Sequence, residues 1–155
     1  MNQTNWYFLL LTAVTVAGYQ PAAAQLMPDN TLGAENSVVV PMPLLDEIQG
    51  GAVRGANLFH SFLEFNVEAG RSVYFANPAG IQNILTRVTG NNASDILGRL
   101  GVDGNANLWL LNPNGINFGP NASLDVRGSL VVSTAEEIGL GPNGKFSATN
   151  PQDSQ

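Results

Sequence analysis

Asn77-Pro78-Ala79-Gly80-Ile81 and Asn112-Pro113-Asn114-Gly115-Ile116 write nearly the same turn twice, 35 residues apart. Val73-Tyr74-Phe75 runs ahead of the first copy and Leu108-Trp109-Leu110 ahead of the second. Each unit therefore reads as a short apolar strand, a turn, and an apolar residue that resumes a strand. Asn favours the first position of a type I turn, Pro presets φ at the second, and Gly suits the fourth. A strand-turn unit that returns at this distance points to stacked coils rather than a catalytic cleft.

Composition agrees. The chain has 155 residues, 44% hydrophobic and only 12% charged, with 17 Gly. Disordered chains combine low hydrophobicity with high charge, the opposite balance. A net charge of −6 and scattered basic residues argue against nucleic acid, whose phosphates need a basic patch. The absence of cysteine excludes disulfides, thiolate chemistry and Cys-ligated zinc.

Trp6 to Ala17 is almost unbroken apolar sequence, ended by Gly18 and Pro21. Ala22-Ala23-Ala24 then places small residues before Gln25, the pattern of a signal-peptidase site. The run is short for a membrane span. Met1 to Asn5 carries no Lys or Arg, a departure from the usual signal. The expectation is a signal peptide over 1–24, cleaved between Ala24 and Gln25, and a mature chain outside the cytoplasm.

In the mature chain, 25–49 reads as a lead-in with N-terminal cap strands, including Ser37–Val40 and a brief strand or turn at Leu44–Ile48. Leu58, Phe59 and Phe62 stand at helical spacing and predict a helical turn or irregular cap. Leu63, Phe65 and Val67 alternate with Glu64 and Asn66, the mark of a half-buried strand. Further strands are expected at Ser72–Phe75, Leu85–Thr89, Ile96–Val102, Asn107–Leu111, around Leu124–Val126, and at Ser129–Ser133. Ile84-Leu85-Thr86-Arg87-Val88 is echoed 12 residues on by Ile96-Leu97-Gly98-Arg99-Leu100. After Gly141 the chain is polar and without periodicity. A sandwich, a barrel and a β-solenoid all accommodate eight or nine short strands; the repeated turn favours the solenoid. In such a coil, turn asparagines bond the neighbouring coil's backbone. Outward Tyr74 and Trp109 either lie over one another or cover an external strand.

Gly51 to Val67, the run Ile84-Leu-Thr-Arg-Val-Thr-Gly90 and Asn112–Ile116 together resemble the two-partner secretion domain, also called the filamentous haemagglutinin N-terminal domain. Asn77–Gly80 stands where that family carries a second Asn-Pro motif, with its usual third and fourth residues replaced. Leu58–Phe62 and Arg87–Gly90 are similar to its cyanobacterial branch. The resemblance implies an all-β, right-handed parallel β-helix with an N-terminal cap, spanning 50–140, with 141–155 as a polar, truncated remainder. It also implies a function: targeting an exoprotein for secretion through the periplasm to the cell exterior. The partner would be an outer-membrane β-barrel transporter with POTRA domains. Neither an enzymatic activity, a cofactor, a metal nor a small-molecule substrate is expected. The alternatives are an adhesin that binds a surface glycan, or a non-functional gene fragment.

Within that frame the site candidates are few. Asn112, Pro113, Asn114, Gly115 and Ile116 form the main secretion or turn motif; Asn77, Pro78, Ala79 and Gly80 form the second. Leu63, Phe65 and Val67 are candidate transporter contacts, offered as an open strand edge before folding is complete. His60, the sole histidine, reads as a packed cap residue among Leu58, Phe59 and Phe62. Asp103–Asn107 reads as a turn, because it lacks a closing Glu for calcium. Asn92 and Asn121 match glycosylation sequons by pattern alone, and Glu136-Glu137 as a solvated pair.

Overall fold

Asn57-Leu58-Phe59, Asn83-Ile84-Leu85 and Asn107-Leu108-Trp109 occupy one place on three successive coils of a parallel β-solenoid of about four turns. The computed structural model describes residues 26–142 and 144–154; the expected signal peptide and its Ala24–Gln25 junction lie outside them. The lead-in holds β1 (Leu26–Pro28), a 3-10 turn at Gly33–Glu35, and β2 (Ser37–Pro41). Then come β3 (Leu45–Gly50), β4 (Ala52–Arg54), β5 (Asn57–Phe65), β6 (Ser72–Ala76), β7 (Asn83–Val88) and β8 (Ser94–Ile96). β9 (Arg99–Asp103), β10 (Asn107–Leu111), β11 (Ile116–Phe118), β12 (Ser123–Asp125) and β13 (Leu130–Ser133) complete the coils. β14 (Glu137–Gly139) and β15 (Lys145–Ser147) form an antiparallel hairpin before a last 3-10 turn at Pro151–Asp153.

Three parallel ladders make the faces. One stacks β5, β7, β10 and β13; a second stacks β3, β6, β9 and β12; the third pairs β8 with β11. The first coil is sealed by antiparallel strands: β2 on β3, and β1 and β4 on β5. Inward rows fill the interior, with Leu58, Ile84 and Leu108 from one face against Val73, Leu100, Phe75 and Val102 from another, all at most 3% exposed. Burying each such side chain contributes about 1.5–3 kcal/mol.

The register corrects the expected repeat. Ser72 pairs with Arg99, Asn83 with Asn107 and Ser94 with Ile116, so the step from one coil to the next takes 27, 24 and 22 residues at the three faces. The 35-residue spacing of the Asn-Pro turns is one coil plus one face. The Asn77 turn joins β6 to β7, whereas the Asn112 turn joins β10 to β11. The 12-residue echo spans no coil either, since Leu97-Gly98 is a corner that divides the expected Ile96–Val102 strand into β8 and β9. Nor is Leu58–Phe62 helical; it is the middle of β5, buried on both faces.

The second burial has its own cause. Phe59, Leu85 and half-buried Trp109 point outward from the first ladder, and Phe146 of β15 packs on them, its ring centroid 4.9 Å from Phe59. The polar stretch after Gly141 thus supplies an external cover. Beneath it lies Arg87, fully buried, with its Cζ 4.5 Å from the centre of the Phe146 ring.

An asparagine ladder ties the coils edgewise. Asn83 Nδ2 donates to Asn57 Oδ1 at 2.9 Å, Asn107 Nδ2 to Asn83 Oδ1 at 2.9 Å, and the Ser129 backbone N–H to Asn107 Oδ1 at 2.8 Å. Each of these half-buried amide oxygens accepts a hydrogen bond from the coil that follows it.

Candidate functional site

The Asn112 turn is a clamp between coils. Pro113 follows Asn112, and the Gly115 N–H donates to the Asn112 carbonyl at 3.1 Å, which closes the four-residue turn expected of this sequence. Asn112 is fully buried. Its Oδ1 accepts the Asn114 N–H at 3.0 Å, and its Nδ2 donates to the Asn92 carbonyl at 3.0 Å and to Ser94 Oγ at 2.9 Å. The last two acceptors belong to the previous coil, so the side chain fixes the 92–94 corner onto the turn above it. Asn114 is exposed and reaches back to the Gly90 carbonyl at 2.7 Å. Ile116 resumes the strand as β11 and packs partly against the core.

The Asn77 turn is built differently. Here the Ile81 N–H donates to the Pro78 carbonyl at 3.2 Å, so the turn is shifted by one residue and Gly80 takes its third position at φ +86°. Such a φ favours glycine. Asn77 Oδ1 accepts the Ala106 N–H at 3.0 Å and Nδ2 donates to the Ile81 carbonyl at 3.1 Å. Both motif asparagines therefore bond an adjacent coil's backbone, as the sequence predicts, although they do so at different corners. Pro78, Ala79 and Gly80 are exposed.

Leu63, Phe65 and Val67 do not share a face. Leu63 is 42% exposed, whereas Phe65 and Val67 are each 1% exposed in the core. The expected alternation breaks at Leu63, where the partner strand β1 also slips register between Met27 and Pro28. In the closed solenoid only Leu63 of the three is available.

Tyr74 and Trp109 lie on different faces and do not stack. Tyr74 crosses over Gly101, its hydroxyl donating to Asp125 Oδ2 at 2.7 Å two coils away. That hydrogen bond to the carboxylate, with burial, raises the phenol above its ordinary value. Trp109 joins the cluster around Phe146, the external covering role allowed for it above. The two rings form no common aromatic strip for a glycan.

His60 faces the interior of β5, 5.3 Å from the Phe75 ring centre. Its Nδ1 lies 3.0 Å from Ser37 Oγ, which also accepts the Ser61 N–H at 3.1 Å, so the imidazole links the first coil to cap strand β2. Burial pushes it down from about 6.5 to about 4. A histidine neutral in the fold but chargeable when unfolded stabilises the fold fully above its unfolded pKa. That stability is lost as pH falls from about 6.5 toward 4. The domain is expected to be about 3 kcal/mol less stable at pH 4 than at pH 7.5 through this group alone. Urea midpoints across that range measure it, and His60→Leu should flatten the difference by that amount.

One polar centre escaped the sequence reading. Arg87 looks like a solvated strand residue, yet it is fully buried beneath the cover. Burial lowers it from the ordinary guanidinium value to about 10, a loss restrained by the charge of Asp29. Asp29 is also raised by burial, but hydrogen bonds from Thr31, Thr89 and Ser61 outweigh this and hold it below the usual carboxylate range. The hydroxyl-rich set Thr31, Ser61 and Thr89 was the available signal, scattered across three segments.

Among the described residues, no group of three or more His, Asp or Glu is placed to hold a metal ion. Neither a curated protein nor a solved structure matches the chain. The family model for the TPS secretion domain matches residues 24–155. The chain belongs to the two-partner secretion (TPS) domain family.

Proposed function

We propose that the POTRA domains of an outer-membrane transporter read this chain in the periplasm before it folds, by pairing with its open strands. As a TPS domain, the chain is a secretion-targeting domain of a two-partner secretion exoprotein. The observation that favours an unfolded reader is the fate of the candidate contact strand. Phe65 and Val67 are closed into the core, so a partner that uses them meets the chain before coil formation. Strand addition supplies the affinity through the backbone, and alternate apolar side chains supply register.

The test compares POTRA binding to the mature chain held unfolded in urea with binding to the folded domain. The unfolded chain should bind and the folded one should not; equal binding by the folded domain would sink the proposal. Side-chain use has a separate readout. Leu63→Ser, at an exposed site, should leave the melting temperature within a few degrees. Binding of the unfolded chain should weaken about five- to tenfold, the value of one lost apolar contact. Unchanged binding would remove Leu63 from the recognised set.

A further inference from the structure

Arg87 sits where two distant segments meet. Its Nε donates to Ser61 Oγ at 2.8 Å and its Nη2 to Thr31 Oγ1 at 2.9 Å. Those hydroxyls donate onward to Asp29, Ser61 at 2.9 Å and Thr31 at 2.6 Å. Cation and carboxylate are thus joined through two hydroxyls that belong to β5 and to the lead-in. On its other side Nη1 donates to the Ser147 carbonyl at 2.7 Å and to Ser154 Oγ, while Phe146 lies across the guanidinium. Ser154 Oγ in turn accepts the Ser147 N–H at 3.1 Å.

We infer that Arg87 is the pin of a two-ended clasp, through which the lead-in at 29–31 and the cover at 145–154 hold each other closed over the first ladder. The physical reason is the cost of a buried cation. Removing one set of acceptors leaves a guanidinium short of partners in a dry site, and it recovers them only by admitting water. Water reaches Arg87 when either flap lifts, so loosening one flap loosens the other. The partners span residues 29 to 154, so the clasp closes only when nearly the whole domain has assembled. It converts a stack that is able to form coil by coil into a unit with one final locking step. The clasp itself does not depend on the export reading.

The experiment is amide hydrogen exchange on the full mature chain. Ser154→Ala removes an acceptor from the cover, and should speed exchange at Asp29 and Thr31 about tenfold, although Ser154 bonds neither residue. Thr31→Val, changed in the lead-in, should speed exchange at Ser147 and Ala148 by a similar factor. In an Arg87→Leu background, a neutral side chain in the same place, both cross-effects should disappear. Leu108 and Leu110 of β10 provide the reference and should stay protected. Faster exchange confined to the mutated flap would overturn the clasp. So would a rise shared equally by β10, which would report general destabilisation, or cross-effects that persist with Leu at position 87.

Discussion

Gly98→Ala is expected to destabilise the domain by about 4 kcal/mol or more, enough to leave little of it folded at 37 °C. Gly98 forms the corner between β8 and β9, pressed onto the coil below. A Cβ built there would stand 2.2 Å from the Glu68 carbonyl oxygen and 2.3 Å from that of Arg71. Neither obstacle is a side-chain end able to rotate away. The Arg71 carbonyl already accepts the Arg99 N–H at 2.9 Å, and the Gly98 N–H lies 3.2 Å from the Val67 carbonyl. Retreat by the roughly 1 Å needed would break the bonds at the start of the second ladder and open the coil. Gly139→Ala is the matched control. Its Cβ meets nothing within 4 Å and its φ is not positive. It should be neutral or stabilising by about 0.5 kcal/mol. Urea denaturation of both variants checks the pair.

Asn112→Ala is expected to cost about 3 kcal/mol, from the buried Ser94 hydroxyl left without its donor, the lost bond to the exposed Asn92 carbonyl and a turn without its side-chain cap. Secretion of this variant should collapse along with its fold. That outcome alone does not separate a turn from a recognition signal, because both lose function. Asn114→Ala separates them. Asn114 is exposed and makes its one inter-coil bond to Gly90, so its loss should cost about 1 kcal/mol or less. If the motif acts through the fold, Asn114→Ala is exported nearly as wild type. If a partner reads the motif, export of Asn114→Ala falls while its melting temperature holds. Secretion assays and thermal melts on the two variants give the answer together.

Most of the strands that the sequence disclosed have one wet or thinly covered face; β7, dry on both, is the exception. β2, β6, β10 and β13 announce themselves by short apolar runs between turn residues. β5 hides because both its faces are dry: Leu58 and Phe62 point into the core, and Phe59 and Ser61 lie under the cover. Dry faces on both sides erase the period of two, and the surviving apolar spacing imitates a helix. The coil length hid for another reason. The corners differ in length from coil to coil, so no single offset aligns the whole chain. What recurs is a position, an Asn at the edge followed by two apolar residues, at 57, 83 and 107. The Asn-Pro signature was more conspicuous but belongs to corners on different sides. Of the candidate site, the inter-coil role of Asn77 and Asn112 was legible, because turn chemistry is local. The burial of Arg87 was not, because it depends on residues 58 before it and 67 after it in the chain.

The antiparallel seal on the first coil gives the stack a direction. Along β5, β1 and β4 occupy the outer edge, and β2 does the same for β3. These antiparallel strands occupy the edges on which a further parallel rung would have to stack. The parallel rungs therefore all lie on one side of the seal, as the teeth of a zip lie on one side of its stop. To be undone from the open end, such a stack must give up its rungs in reverse order, the sealed coil last.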